Sequence, residues 1–452
     1  MSDLMSIGVA GVRAYQTALA TTSENIANAA TPGYSRRTAV ISEVAKAGVA
    51  GIGQNNILTG YGSRVSSLSR AGDEFRAAEA RSSGSDVAST EASVVWIDRI
   101  ENALTGNQLS DRFNTFFATA KTVAADPAGT APRVVLLEDA RSLAAGFSST
   151  GRALAAAADE LDGQGKDMAS QLTEYTRAIA RINQGLTRAA NGSAAQAQLL
   201  DERDNTLQAI SALVNVDVTL DTVGRATVNV GNGGPTIADL DGGSLVAFSS
   251  AANGNVTIAV SRGATADVIR PTGGALAGMV DGAAKIARAR GDLDDIATSF
   301  VDKMNTWQTE GKTLDGTPGT ALFRVVPPAT VATDISVVMT DPAGIAAAYG
   351  TAEGPRGNTN MTRLTQLRTS AGWEKGFDDL TTENAALLAT RKNVATAQGA
   401  IHSVALGARD AVSGVDLDEE AVNLIRFQQA YQASSRVIQV ARDILQTVID
   451  IR

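Results

Sequence analysis

The last forty residues, 413–452, constrain the fold more than any other part of the chain. Small and apolar side chains recur there at alternating steps of three and four residues: Leu424, Phe427, Tyr431, Ser434, Ile438, Ala441, Leu445 and Val448. This spacing is the a/d pattern of a coiled coil. One such stripe buries too little apolar surface by itself to offset the entropy lost when a helix orders. The sequence therefore predicts a long helix that needs a partner.

Acidic residues mark the start of this helix. Asp416 is placed to accept a hydrogen bond from the amide of Glu419, whose side chain can reach back to it as in a capping box. Asp418, Glu419 and Glu420 lie where the helix dipole favours negative charge. We expect the helix to run from this cap to the final residue.

A matching stripe lies near the amino terminus. Its members are Val12, Tyr15, Leu19, Thr22 and Ile26. Pro32 and Gly33 follow and end the helix. We interpret the two ends, residues 1–40 and 413–452, as partners in one antiparallel or bundled pair that is disordered in the free monomer. The alternative is that each end is an ordinary amphipathic surface helix.

Long helical patterns fill residues 41–214 and 275–412, which we expect to form one rod domain. The longest pattern begins at Pro132 and continues to about residue 190. Its seam passes through Gln164 and Met168 and then takes an extra four-residue step to Leu172. A step of this kind is a stutter, which relaxes supercoiling locally.

A further seam is predicted over residues 377–412, and it includes Val394, Ile401 and Val412. Polar residues also recur in it every seven positions, namely Asn384, Arg391 and Gln398. Polar groups at such positions fix the register between helices at some cost in stability.

Between these helical parts the period changes from 3.6 to 2. Residues 215–274 contain short runs such as VDVTL, ATVNV and NVTIAV, separated by Gly, Asn and Asp. This pattern is typical of a small antiparallel β domain, to which residues 313–345 could contribute. The predicted fold class is therefore mainly α with an inserted β domain, in which long antiparallel helices form a coiled-coil rod built from both termini.

Composition excludes several classes of function. A net charge of −9 argues against nucleic acid or an anionic membrane as the main partner. No run approaches the roughly 18 apolar residues of a membrane span, so no membrane insertion is expected. The chain has no cysteine, which excludes disulfides and thiolate metal sites. Asp3 stands where a secretory signal would carry a basic residue, so we expect no cleaved signal peptide.

No catalytic, cofactor-binding or metal site is predicted. His402 is the single histidine and has no partner at ligand spacing, so we expect it to be structural or solvent-facing. Residues 231–235 are rich in glycine but lack the Lys-Ser/Thr pair of a phosphate-binding loop, which favours a turn. Asp416, Asp418 and Glu420 lack the loop glycine of a calcium site, which favours helix capping.

Several segments resemble the flagellar axial proteins, the family of rod, hook and hook-associated proteins. NIANAATPGYSRR, residues 25–37, is similar to the amino-terminal signature of that family, and its motif residues are Asn25, Asn28, Thr31, Pro32, Gly33 and Tyr34. The last forty residues resemble the second terminal motif. Within it Arg426, Gln428 and Gln429 favour the hook-associated proteins over the hook and rod proteins.

The resemblance continues inward, because residues 111–147 and 199–218 are similar to internal helical segments of the hook-associated proteins. Members of the family often carry a longer outer domain where this chain has only a short loop between Phe323 and Asp334. A function tied to that outer domain is therefore not carried over to this chain.

The resemblance implies a structural protein of the extracellular flagellum, exported by the flagellar type III system, that joins hook to filament. It implies four partners: the hook protein, a second hook-associated protein, further copies of the chain in a ring, and a cytoplasmic export chaperone at the carboxy-terminal helix. It implies neither an enzyme nor a cofactor.

Ten seam residues of the terminal helices are our candidates for the polymerisation interface. They are Val12, Tyr15, Leu19, Ile26, Leu424, Phe427, Tyr431, Ile438, Leu445 and Val448. Arg36 and Arg37 either contact an acidic neighbour in the assembly or are solvated. The alternative functions are another axial protein, such as a hook, distal rod or flagellin-like protein, and a secreted adhesin or carbohydrate-binding protein that acts through the β insert.

Overall fold

The structure is a computed structural model that describes residues 2–44, 62–325, 330–350, 353–354 and 356–450. It confirms the mainly α class, with long helices and small antiparallel sheets. The helices are α1 (Ser2–Asn28), α2 (Glu74–Thr105), α3 (Leu109–Ala125), α4 (Thr130–Arg188), α5 (Ala194–Leu213), α6 (Ala275–Glu310), α7 (Val331–Asp334), α8 (Thr359–Ala371), α9 (Trp373–Ser413) and α10 (Leu417–Asp450). None of the helices in the described ranges is long and apolar enough to cross a membrane.

The strands form five small antiparallel sheets in the described part of the chain. They are β1 (Arg37–Glu43), β2 (Ser63–Arg70), β3 (Val216–Leu220), β4 (Ala226–Val230), β5 (Thr236–Ala238), β6 (Leu245–Ser250), β7 (Val256–Arg262), β8 (Thr265–Ile269), β9 (Gly311–Lys312), β10 (Phe323–Arg324), β11 (Ser336–Val337) and β12 (Ala348–Tyr349). β1 and β2 form a hairpin, whereas β3-β4-β5 and β6-β7-β8 make up the β domain. Residues 42–62 are rich in small residues and glycine, which predicts a loop with one or two short strands, and most of this segment lies outside the described residues.

Helices α2, α4, α6 and α9 pack side by side as a rod. The 59 residues of α4 span about 88 Å at the usual rise per residue. Asp73 caps α2 by accepting a hydrogen bond from the Phe75 amide at 2.8 Å. The buried Asn384 of α9 donates to the Ile97 carbonyl at 3.2 Å and to Glu101 at 2.7 Å, so a polar contact links α9 to α2.

One end of the rod contains an aromatic core, made of the buried side chains Phe113, Phe116, Phe117, Phe147, Phe300, Phe323 and Trp373. The Phe300 ring lies at its centre, with ring centroids between 5.1 Å and 6.2 Å from those of five other members. Edge-to-face arrangements such as the pair with Trp373, at 80°, add to the stabilisation from burial.

Residues 311–349 pack on this end of the rod and not on the β domain, as far as the described contacts extend. The side chain of Asn305 donates to the Phe323 carbonyl at 2.9 Å, and Gln308 donates to the Gly344 carbonyl at 2.6 Å. The buried Arg133 donates to the Ile345 carbonyl at 2.5 Å. The sequence suggested that residues 313–345 could contribute to the β domain, but in the structure they pack against the rod.

The β domain lies along α4. The hydroxyl of Thr176 donates to the Ser244 carbonyl at 2.8 Å, and the Phe248 ring occupies the space above Gly165, where a Cβ atom would lie 2.3 Å from the ring. The predicted seam of α4 is wrong at this point. Gly165 and Ala169 are buried, whereas the predicted Gln164 and Met168 are only half-buried. The ring of Phe248 needs a glycine beneath it, and the period of the helix alone gives no sign of this.

The carboxy-terminal half of α9 also differs from the prediction. Val394, Ile401 and Val412 are 39%, 62% and 47% exposed, while Ala405 is buried. The predicted seam advanced 3.5 residues per turn, but a straight α-helix has 3.6 and drifts about 20° per heptad. Later seam positions therefore rotate into solvent.

Candidate assembly site: the terminal helix pair and its joint

Helices α1 and α10 pack against each other in antiparallel orientation, and we call them the terminal helix pair. Gly8 lies beside Ile438, while Tyr15 lies beside Phe427 with ring centroids 6.5 Å apart. The two backbones approach closely because Gly8 has no side chain: a Cβ atom there would lie 2.7 Å from Cγ1 of Ile438. The pairing of the two chain ends agrees with the sequence prediction.

The α10 stripe lies on the face that contacts α1. Leu424, Phe427, Tyr431, Ser434 and Ile438 are half-buried, and Ala441 is buried. Leu445, nearer the end of the helix, is 44% exposed, and the side chain of Val448 lies outside the described residues. Helix α1 therefore covers this stripe only in part.

On α1, small side chains make most of the buried face. Val12, Tyr15 and Leu19 are half-buried and Ile26 is 36% exposed. The buried residues are Gly8, Gly11, Ala14, Ala18, Thr21, Thr22 and Asn25. Sequence reasoning missed most of them because it followed the large apolar side chains, although the small ones also follow steps of three and four.

A second apolar stripe runs along α10 outside the contact with α1. It contains Val422, Ile425, Val437, Val440, Ile444 and Ile449, which are between 39% and 65% exposed. Together with Gln429 and Ala433, its first five members again follow steps of three and four. A helix that is apolar on two faces has more apolar surface than one partner helix can cover.

The family-motif residues build the loop between α1 and β1, which we call the joint loop (residues 29–36). Asn25 closes the loop, because its Oδ1 accepts hydrogen bonds from the Tyr34 hydroxyl at 2.8 Å and the Arg37 amide at 3.0 Å. Its Nδ2 donates to the Arg37 carbonyl at 2.8 Å. Asn28 accepts a hydrogen bond from the Thr31 hydroxyl at 3.3 Å.

Gly33 allows the joint loop to dock on the rod. Its φ of 75° favours glycine, and a Cβ atom would lie 1.7 Å from Oδ1 of Asn205 on α5. Pro32 is exposed at the loop surface. The remaining motif residues, Arg426, Gln428 and Gln429, are exposed on α10.

Arg36 joins the loop to the start of α10. Its guanidinium donates to Glu420 at 2.7 Å and to Glu419 at 2.9 Å, and the Glu420 side chain is only 2% exposed. The hydrogen bond to Glu420 raises the pKa of Arg36 above its usual value. The predicted cap is confirmed, since Asp416 accepts hydrogen bonds from the Glu419 amide at 3.3 Å and from the Asp418 amide at 2.9 Å. The Glu419 side chain binds Arg36 and does not reach back to Asp416 as predicted.

A second group of ion pairs joins the β1–β2 hairpin to α5. Arg37 donates to Asp201 at 2.8 Å, and Arg70 donates to Asp201 and to Asp204 at 2.6 Å each. Burial acts to lower the pKa of Arg70, but the charges of Asp204 and Asp201 outweigh it and the net shift is upward. The sequence left open whether Arg36 and Arg37 contact an acidic neighbour or are solvated. In the structure both bind acidic residues, and these belong to their own chain.

The sequence did not single out Arg70, Asp201 or Asp204, and it assigned Glu420 only to the start of α10. Asp201 and Asp204 lie within LLDERD, at the start of the internal segment 199–218 that carried the resemblance. That segment and residues 25–37 therefore meet in space, although Arg37 and Asp201 are 164 positions apart. The resemblance of both segments to one family is the sequence signal that could have pointed to these residues.

The described residues show no arrangement that suggests chemistry. His402 has Nδ1 3.1 Å from the Ser83 hydroxyl, which places it between α9 and α2. Within the described ranges, no three His, Cys, Asp or Glu residues lie close enough together to hold a metal ion. The arrangement as a whole can hold helices together and offer apolar surface to others.

Comparison with known proteins gives three family matches along the chain. Residues 97–323 match the model described as the flagellar hook-associated protein FlgK helical domain. Residues 5–34 match the flagella basal body rod protein model, and residues 410–451 match the flagellar basal body rod FlgEFG protein C-terminal model.

Several curated relatives are similar over the full length. Flagellar hook-associated protein 1 of Escherichia coli K12 is 24% identical over 100% of both chains, and that of Salmonella typhimurium LT2 is 23% identical over the same share. The protein of the same name from Bacillus subtilis 168 is 24% identical over 97% of this chain and 96% of its own. Among solved structures, the flagellar hook junction protein FlgK from Burkholderia pseudomallei is 22% identical with a TM-score of 0.49, over 56% of this chain and 47% of that chain.

Proposed function

The chain belongs to the flagellar hook-associated protein family, and we propose that it is the structural subunit that joins the hook to the filament. Its role is to hold neighbouring subunits in place, without catalysis. The export route is the flagellar type III system. The working site is the terminal helix pair.

The second apolar stripe of α10 carries this proposal. Five of its aliphatic side chains, Val422, Ile425, Val437, Val440 and Ile444, remain 39% to 65% exposed in the single chain. Exposed apolar surface of this extent is a feature of protein interaction sites. Neighbouring copies cover the second stripe and complete the burial of the half-buried seam, so the ten seam residues named from the sequence contribute to the same interface.

The other partners use the same helices. A hook protein below and a second hook-associated protein above meet the ends of the ring, since axial subunits that share terminal helices can pack on one another. Before assembly an export chaperone covers α10, which would otherwise present its second stripe to other proteins. This apolar exposure is the feature that supports a chaperone contact.

Folding of the pair is coupled to assembly. Away from the joint, residues 2–14 and 431–450 are disordered in the free chain, because the contact between α1 and α10 buries too little apolar surface to hold them. Near the joint the ion pairs of Arg36 and Arg37 keep the helices in place. Binding to neighbours supplies the missing surface.

The experiment replaces Val422, Ile425 and Val440 together by Asp. These side chains lie outside the contact with α1, so the free chain should keep its helix content while filaments no longer grow on hooks of cells that carry only this variant. Electron microscopy of isolated hook-basal bodies gives the readout. The control is Val268→Asp, an equally exposed valine of the β domain.

Normal filaments with the triple variant would contradict the proposal, provided that the control also assembles. The seam variant Leu424→Asp with Phe427→Asp should fail too, but it also disrupts the pair within the chain. An adhesin that acts through the β insert is the less favoured function, because the inner face of the insert covers α4 through Phe248 and Ser244.

A further inference from the structure

We infer that Asp201 is the positioning residue that fixes the terminal helix pair on the rod. All contacts involved lie within one chain, so the inference does not rest on the proposed assembly function. It assigns a role to α5, a helix of the rod, in orienting the site that the neighbours would bind.

The geometry brings both strands of the hairpin to one carboxylate. Arg37 begins β1 and Arg70 ends β2, and the two residues are register partners in the ladder. Arg37 binds Oδ2 of Asp201 at 2.8 Å, while Arg70 binds Oδ1 at 2.6 Å, so each oxygen takes one guanidinium. The two arginine side chains are 10% and 15% exposed and that of Asp201 is 10% exposed, so solvent screens these pairs weakly.

The remaining ion pairs connect Asp201 to the whole terminal region. Arg36 binds Glu420 in the first turn of α10, and its amide donates to the Ser413 carbonyl at 2.9 Å. The joint loop, the hairpin and the start of α10 therefore form one body. On the rod side, Asp204 binds both Arg70 and Arg203 at 2.6 Å, which holds Arg70 in the orientation that reaches Asp201.

Apolar packing does little to fix this body on the rod. A groove of about 1300 Å³ runs beside the joint between the loop, α2, α5 and the end of α9, lined by side chains that include Ala77, Leu200 and Leu406. With this space open, the body could tilt about its two chain connections, residues 70–73 and 413–416. The close approach of Gly33 to Asn205 and the hydrogen bond from the Leu68 amide to the Gly192 carbonyl at 2.7 Å also touch the rod, but the ion pairs on Asp201 are the charged contacts, from both strands of the hairpin, that oppose the tilt.

The test measures the orientation of α10 against the rod in the free chain. Because the chain has no cysteine, a label pair at Gln171→Cys on α4 and Ala421→Cys on α10 is unique, and both sites are exposed. Double electron–electron resonance should give one narrow distance distribution for the parent. Asp201→Asn should broaden it and shift its mean. Asp86→Asn, which removes an exposed carboxylate from α2, should leave it unchanged.

A narrow, unshifted distribution in the Asp201→Asn chain would overturn the inference. The near-UV circular dichroism of the aromatic core shows whether that variant keeps its rod. If the rod signal is lost, Arg37→Gln with Arg70→Gln decides, because these changes remove the partners of Asp201 from the hairpin side. A broad distribution in that variant supports the role of Asp201, and a narrow one rejects it.

Discussion

The terminal helix pair and the aromatic core lie at opposite ends of the rod, and their helices pack through different kinds of side chain. The aromatic core buries seven large rings, with Phe300 at their centre, from five different segments of the chain. The terminal pair brings two helices together over Gly8, Gly11 and Ala14, and leaves its larger aliphatic side chains half-buried or exposed. The core of the rod is buried within one chain, whereas apolar side chains of the pair remain exposed.

The two regions differ in what they contribute: the aromatic core stabilises the fold of one chain, and the terminal helix pair exposes apolar surface. Large rings packed edge to face stabilise a single arrangement, since little else can fill the same space. Small residues allow close backbone contact with little burial. A chain built in this way can fold its rod without a partner and still expose apolar surface on its terminal helices.

The largest expected effect comes from emptying the aromatic core. Phe300→Ala should lower the free energy of unfolding of the rod by about 3–5 kcal/mol, because a buried ring is lost and a cavity remains. Urea unfolding followed by near-UV circular dichroism measures it. The matched control is Phe75→Ala, since the Phe75 side chain is 73% exposed. Equal losses of stability for the two variants would show that the aromatic core does not hold the rod together.

A smaller effect, confined to the terminal pair, should follow from filling the close contact. Gly8→Leu places a side chain where a Cβ atom would already lie 2.7 Å from Ile438, and overpacking of this kind costs about 1–3 kcal/mol. On isolated hook-basal bodies, where neighbouring subunits order the pair, protease cleavage within residues 2–28 should become faster, while the urea midpoint of the rod in the free chain stays the same.

Gly163→Leu serves as the control for that change, because in the described part of the chain a Cβ built at this exposed position of α4 meets no atom within 4 Å apart from its own helix backbone. It should leave the cleavage of α1 unaffected. A fall in rod stability with Gly8→Leu would mean that the pair and the rod unfold as one unit, which would contradict a rod that folds independently of the pair.

The smallest effect concerns pH at the joint. Burial raises the pKa of Tyr34, with smaller contributions from its charged neighbours. A raised pKa means that the stability from the protonated phenol, which donates to Asn25, is present below about pH 10 and is lost as the pH rises through the folded-state value. Tyr34→Phe should therefore cost about 1 kcal/mol at neutral pH and close to nothing in strong alkali.

Thermal unfolding of the parent and of Tyr34→Phe at about pH 8 and about pH 11 checks this difference. A gap between the two chains that persists unchanged at the higher pH would show that the phenol proton is not involved. Equal thermal stability of the two chains at both pH values would show that the Tyr34 hydroxyl does not stabilise the joint loop.

The sequence predicted the larger features of the fold because they repeat along the chain. The α10 stripe from Leu424 to Ala441 faces α1 as its spacing required, and the period of two in residues 215–274 marked the β domain. The buried face of α1 was harder, since Gly8, Gly11 and Ala14 carry almost no hydrophobic signal. The exposed Ile401 shows the limit of a strict heptad on a straight helix.

The joint could not be predicted from any local pattern. Asp201 binds Arg37 across 164 positions and Arg70 across 131, and nothing in the spacing of either segment indicates a charged partner. Such pairs form because the hairpin folds back on α5. Only the resemblance of both segments to one family linked them before the structure.

Amide hydrogen exchange on the purified free chain and on the chain assembled at the hook tip tests the central claim most directly. We predict fast exchange in residues 2–14 and 431–447 of the free chain, slow exchange in residues 136–186 of α4, and strong protection of the terminal segments after assembly. Terminal segments as protected as α4 in the free chain, with no change on assembly, would contradict the claim that neighbours complete the terminal helix pair.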